Sequence, residues 1–224
     1  MRIIIVRHGE PDYKNDCLTE KGKIQAEAAA KRLLSENINE IFSSPLGRAY
    51  ETAQAFADLD GNAPVHVLDF MHELEWGGAD GTQIFAGGHP WDIADKLVRD
   101  GYDLTDTAWR EHPCFSNNLV TAAADYVAAE SDKWLKTLGC VREGSYYRCR
   151  RKDDEQYSVV LFCHGGSSTA LLSRILNLPF PYLCATVHLD FTGIFIIRMD
   201  RRPNSISMPV IELAGDEKHI RGIE

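Results

Sequence analysis

An α/β fold is predicted, with a mainly parallel sheet and helices on both faces. Two observations predict it. Short β-branched apolar runs alternate with helix-length amphipathic stretches over most of the 224 residues, and that alternation marks βαβ units. With 44% hydrophobic and 25% charged residues, the composition is that of a globular chain with room for one large core.

Taken in order, residues 2–6 (RIIIV) read as a buried strand, short and β-branched. Thr19 is placed to cap a helix over about 20–34, where Ala26, Ala30 and Leu33 recur at helical spacing. EIFSS (40–44) reads as a second short strand that Pro45 stops. A helix from about Leu46 keeps Leu46, Ala49 or Tyr50, Ala53 and Ala57 on one face. VHVLDF (65–70) is a third strand, and Gly77, Gly78, Gly81, Gly87 and Gly88 mark loop after it. Residues 89–138 read as helical in pieces, most clearly 118–138. The polar stretch 143–156 reads as a hairpin tip or surface loop. YSVVLFC (157–163) is the strongest strand, followed by HGGSS and a helix over about 169–176. TVHLDF (186–191) and GIFIIRM (193–199) flank Thr192-Gly193 and are predicted as a hairpin or two adjacent strands. MPVIEL (208–213) is the last strand.

The formal net charge of -9 disfavours nucleic acid and anionic membrane as partners, since binders of either are usually basic. The N-terminal apolar run is too short for a signal segment or a membrane span. The six cysteines include no C-x-x-C pair, which disfavours a zinc site. A chain of this size needs no disulfide staples, so reduced thiols and a cytoplasmic location are expected. A homodimer is compatible with the sequence.

Function is sought where strands end, because open parallel sheets bind ligands outside the carboxyl ends of their strands. The first strand ends at Arg7-His8-Gly9, the second is followed by Arg48, the third by Glu73, and the strongest by His164-Gly165-Gly166. On neighbouring strands these groups would converge at one edge. Two arginine forks suit a phosphoryl group, which each can grip through two oxygens. A helix start after His164 adds backbone N–H groups. One neutral histidine can attack phosphorus, a protonated second one can stabilise developing charge, and Glu73 can protonate the leaving alkoxide.

Five ordered blocks carry a resemblance. IIIVRHGEPD (3–12), LTEKGKIQA (18–26), SSPLGRAYETA (43–53), ELEWGGADG (73–81) and VVLFCHGG (159–166) resemble the corresponding motifs of the histidine phosphatase superfamily, the phosphoglycerate mutase-like branch 1 or RHG family. The resemblance implies a three-layer α/β/α sandwich with a mainly parallel sheet, in a single domain over 1–224 with a helical cap insertion at about 83–156. It implies that His8 is the nucleophile that becomes phosphorylated. Arg7, Arg48 and His164 would hold the phosphoryl oxygens, and Glu73 would protonate the leaving group and then activate water. Glu75 is the competing acid, but the spacing to Gly77 favours Glu73. Many relatives have Ser or Thr after R-H-G-E and then an Asn on phosphate. Here Pro11 follows Glu10, and Asn15 is the nearby asparagine assigned to phosphate. The implied reaction is hydrolysis of a small phosphorylated metabolite without metal or other cofactor, and a protonated Glu73 at the start would place the optimum on the acidic side.

Taken singly, the same residues have plainer readings. Arg7 could form a surface ion pair and Arg48 face solvent. Cys163, on an apolar strand, reads as a buried inert thiol, and the four tryptophans as packing residues. Three rival functions stand beside hydrolysis: a phosphoglycerate-type mutase, an inactive phospho-ligand or protein-binding module, and a metal site of His8, His164 and Glu73. The last is disfavoured because two arginines would repel a cation.

Overall fold

The computed structural model describes residues 1–61 and 63–223. Along the chain come β1 (Arg2–Arg7), the short pair β2 (Pro11–Asp12) and β3 (Cys17–Leu18), α1 (Glu20–Leu33), β4 (Glu40–Ser43), α2 (Gly47–Leu59) and β5 (Val65–Val67). Then follow α3 (Pro90–Arg99), α4 (Pro113–Ser116), α5 (Leu119–Thr137), β6 (Cys140–Glu143) and β7 (Tyr146–Cys149). The chain continues with β8 (Ser158–Cys163), α6 (Gly165–Leu176), α7 (Phe180–Thr186), β9 (Ile194–Arg198), β10 (Ile206–Ser207) and β11 (Val210–Asp216).

Two compact units make up the chain: residues 1–73, 134–168 and 189 onward form the first, and residues 74–133 and 169–188 the second. Of the stretch 83–156, expected as a cap insertion, residues up to 133 belong to the second unit and 134–156 to the first.

The first unit holds a six-stranded sheet ordered β11-β9-β1-β8-β4-β5. β1, β8, β4 and β5 run parallel; β9 and β11 are added antiparallel at the other side. Ile3, Ile4, Ile5 and Val6 are all fully buried, so this strand is covered on both faces, as strands in parallel sheets are. Its Ile4 and Val6 join Ile41, Val160, Phe162, Ile194 and Ile196 in one core with Ala30 and Leu33 of α1 and Ala53, Phe56 and Ala57 of α2. The small alanine faces of the two helices make that close packing. Thr19 caps α1, its side chain accepting from Gly22 N.

Two sequence expectations are corrected here. Residues 186–191 form no strand, because β9 lies between β1 and β11 and both its edges are already paired. The chain turns instead at Thr192, whose N–H donates to the carbonyls of Arg7 and His8. The helix expected from about 169 begins at Gly165. Glycine disfavours helix interiors, but the first turn is where that cost is smallest and where free N–H groups are exposed.

In the second unit α3 packs on α7, and the buried Trp109 contacts Phe115 edge-on at 5.1 Å and Phe180 at 6.0 Å. Trp76, expected to pack, is 39% exposed. No helix among the described residues is long and apolar enough to cross a membrane.

Candidate active site

Strand register brings the site together. Arg7 pairs with Cys163 and Ser43 with Phe162, so β1, β8 and β4 end level, and His8, His164 and Ser44 follow at one edge. His8 N donates to Cys163 O at 2.9 Å. The turn after His8 requires glycine. A Cβ on Gly9 would sit 2.5 Å from Gly22 O, and one on Gly22 only 2.1 Å from Glu10 O. Thr52 Oγ1 and Gln25 Oε1, from α2 and α1, accept the N–H groups of Gly9 and Glu10.

The His8 ring is buried, 1% exposed, with Nδ1 2.7 Å from Gly9 O. A carbonyl can only accept, so Nδ1 carries the proton and Nε2 the lone pair. Arg48 Nε lies 3.4 Å from that Nε2. Burial, with Arg7 and Arg48 nearby, pushes the His8 pKa down to about 3. The ring is therefore neutral at physiological pH.

Arg48 is buried in the first turn of α2, and its Nη1 donates to Asp16 Oδ1 at 2.5 Å. Asp16 Oδ2 accepts Gly47 N at 2.7 Å. Arg7 donates through Nη1 to Leu189 O at 2.8 Å and stacks on Phe191, whose ring is 5.7 Å from that of His8. The Arg7 Nε is buried without a partner.

His164 is fully buried, its ring centroid 5.0 Å from that of His8 and tilted by 59°. Its Nε2 lies 2.7 Å from Ser44 Oγ, and its Nδ1 is buried without a partner. Burial, with His8, Arg48 and Arg7 close by, pushes its pKa strongly down. Glu73 Oε1 accepts the N–H groups of Gly166 at 2.9 Å and Ser167 at 3.2 Å, at the start of α6. Positive helix ends attract such carboxylates.

Within the first unit Arg48 thus meets His8, His8 lies beside His164, Arg7 pairs with the last residue of β8, and Glu73 meets the start of α6 just after His164. Asn15 is turned elsewhere: its Nδ2 donates to Asp12 Oδ2 at 2.7 Å in an exposed turn. The residue of that turn that reaches Arg48 is Asp16, held at a left-handed φ of 50°. Glu75 is exposed. Among the described residues no three His, Cys, Asp or Glu side chains group as a metal site. Cys163 is fully buried, and burial pushes its thiol pKa far up. Asp16, Ser44, Thr52 and Phe191 were not found from the sequence. Ser44 and Thr52 lie inside the SSPLGRAYETA block and could have been; Asp16 and Phe191 carry no local signal.

The site has the parts of a phosphoryl pocket: a neutral imidazole with one bare nitrogen, two guanidinium groups, a second imidazole and a carboxylate on a helix start. A sequence model of the histidine phosphatase superfamily (branch 1) matches residues 3–117. A glucosyl-3-phosphoglycerate phosphatase of Mycolicibacterium vanbaalenii is 30% identical over 195 residues, covering 80% of this chain and 75% of its own. A 2,3-bisphosphoglycerate-dependent phosphoglycerate mutase of Thermoplasma acidophilum is 45% identical over 117 residues, covering 45% and 58%. The crystal structure of an Entamoeba histolytica phosphoserine phosphatase with 3-phosphoglyceric acid shares the fold, with a TM-score of 0.63, 21% identity and 98% of each chain covered. The chain belongs to the histidine phosphatase superfamily, branch 1. It is an enzyme of the phosphatase type, and phosphatase names dominate among its relatives, with mutases also present.

Proposed function

We propose that the chain hydrolyses small phosphomonoesters in two steps through a phosphohistidine at His8. The observation that carries this reading is the geometry of that ring: Nδ1 is held by Gly9 O at 2.7 Å, which leaves Nε2, facing Arg48, as the nitrogen with the lone pair. In the first step Nε2 bonds to phosphorus, the ester P–O bond breaks, and a proton from Glu73 goes to the departing alkoxide. In the second, water attacks phosphorus, Glu73 takes its proton, the P–N bond breaks and orthophosphate leaves. Arg7, Arg48 and His164 bind the phosphoryl oxygens, and the guanidinium groups supply the positive charge that a metal would otherwise bring. Asn15, which bonds Asp12, stays outside this set, and Asp16 supports Arg48. Six free cysteines support a reducing, cytoplasmic setting.

Glucosyl-3-phosphoglycerate, phosphoserine and phosphoglycerate, in the names of the relatives, are all phosphate esters of small carboxylic acids. We therefore assign that class as substrate. A phosphoester panel on wild type and His8→Ala, without added metal, tests both points. An acid-labile phosphoenzyme in wild type alone, with carboxylated esters turned over fastest, is the expected result; no phosphoenzyme and no turnover by wild type would overturn it. The similarity to the Thermoplasma mutase favours phosphoryl return to a sugar acid as a second reading. Isotope exchange between phosphoglycerates with little free phosphate would establish that one.

A further inference from the structure

The two nitrogens of His164 have different neighbours, and counting protons decides between its tautomers. Nε2 meets Ser44 Oγ at 2.7 Å. Both residues are fully buried. Ser44 Oγ also receives Leu46 N–H at 3.2 Å. An amide N–H only donates, so it consumes a lone pair of the hydroxyl and leaves the hydroxyl proton to be placed. Among the described residues the one acceptor on that oxygen is His164 Nε2. The serine must then donate, and Nε2 must be bare. A neutral imidazole has a single ring proton, which is left on Nδ1, the nitrogen without a partner.

The opposite arrangement is worse on two counts. With Nε2 protonated, the Ser44 hydroxyl proton would be buried with nothing to accept it, and Nδ1 would present a lone pair. A bare lone pair beside His8 would repel a phosphoryl oxygen rather than bind it. The hydroxyl is itself well placed for its task, since Ser44 N donates to Phe162 O at 2.9 Å and ties the residue to the end of β8.

We infer that Ser44 is a positioning residue that fixes His164 as the Nδ1–H tautomer, so that the second histidine serves as a neutral one-proton donor to the phosphoryl group. This goes past the expectation that the second histidine acts as a cation, and it rests on the reading of the pocket as a phosphoryl site. The donor stays in place at any pH where the ring is neutral, while a cationic donor would have to be charged against two nearby guanidinium groups.

The test reads the tautomer directly. In ¹⁵N-histidine-labelled wild type without substrate, the long-range ¹H–¹⁵N spectrum is expected to show His164 with Nδ1 protonated and Nε2 bare. Ser44→Ala is expected to lose that preference and Ser44→Thr, which keeps the hydroxyl, to retain it. An Nε2–H pattern in wild type, or the wild-type pattern in Ser44→Ala, would overturn the inference; if Ser44→Ala fails to fold, wild type and Ser44→Thr still decide. On turnover, Ser44→Ala is expected to lower kcat roughly tenfold to a hundredfold with KM little changed, with rescue by Ser44→Thr. Should wild type turn over no phosphoester and show Nδ1–H all the same, the phosphatase reading fails while the tautomer assignment stands.

Discussion

Asp16 holds Arg48 from two sides: Oδ1 accepts Arg48 Nη1, and Oδ2 accepts the N–H of Gly47, the residue before it. The carboxylate therefore fixes both the guanidinium and the helix start that carries it. Such a fork grips phosphate well only when its plane is set in advance. The cost is partial neutralisation of the charge meant for the substrate. Orientation wins here, because the Arg48 side chain is buried and its contact with His8 Nε2, at 3.4 Å, is far longer than the bond to Asp16. Asp16→Ala is expected to lower kcat/KM roughly tenfold, about 1.4 kcal/mol of transition-state stabilisation. Steady-state kinetics on any accepted phosphoester checks it, and a rise in kcat/KM would show that charge, not aim, was limiting.

His8 sets no acid limb on phosphoenzyme formation. An isolated histidine loses its nucleophilic form below about pH 6.5. Here the pKa is pushed down to about 3, so the ring stays neutral as pH falls through 6 and 5. Rapid-quench measurement of phosphoenzyme formation between pH 7 and 5 is expected to show no loss of rate that follows a titration near 6.5.

The same buried rings make the fold sensitive to acid. Both His8 and His164 have folded pKa values lowered from 6.5. Below about pH 6.5 the unfolded chain takes up protons that the folded one refuses. Stability is thus unaffected by these groups above that pH and falls as pH drops below it, with a limiting slope of about 1.4 kcal/mol per pH unit for each ring. Urea unfolding between pH 6.5 and 4.5 should show a shallower slope in His8→Gln than in wild type. Identical slopes would mean that His8 is already charged in the folded state.

Glu73→Gln separates the two roles given to one carboxyl. An aryl phosphate has a good leaving group and little need of an acid, whereas an alkyl phosphate needs one. The variant is expected to lose roughly a hundredfold or more in kcat/KM on alkyl esters and much less on aryl esters. With the aryl ester it should accumulate phosphoenzyme, because water lacks its base. Equal losses on both esters would remove Glu73 from the acid role.

Gly22→Ala tests why a helix carries a glycine in its first turn. Helix propensity alone says the change should stabilise by about 1 kcal/mol. The new Cβ, however, would lie 2.1 Å from the carbonyl oxygen of Glu10, on the loop leaving His8. That contact cannot be relieved without moving the backbone, so a lower unfolding midpoint and lower activity are expected together. A stabilised, fully active variant would show that the loop yields freely.

The sequence by itself determined the sheet's apolar strands and the capped start of α1 at Thr19, and it singled out Arg7, His8, Arg48, Glu73 and His164 as the candidate set. These are legible because burial, capping and strand-end chemistry are written in runs of neighbouring residues. Only the tertiary structure decided that residues 186–191 form no strand, since that depends on β1 and β11 having taken both edges of β9. It also decided that Asn15, assigned to phosphate, bonds Asp12 instead, while its neighbour Asp16 reaches Arg48 from a left-handed backbone that no local pattern announces. The proton we assign to His164 Nδ1 depends in the same way on a hydroxyl 120 residues away in the chain. A hydrogen bond between distant segments fixes which atom carries a proton, and sequence order holds no record of that distance.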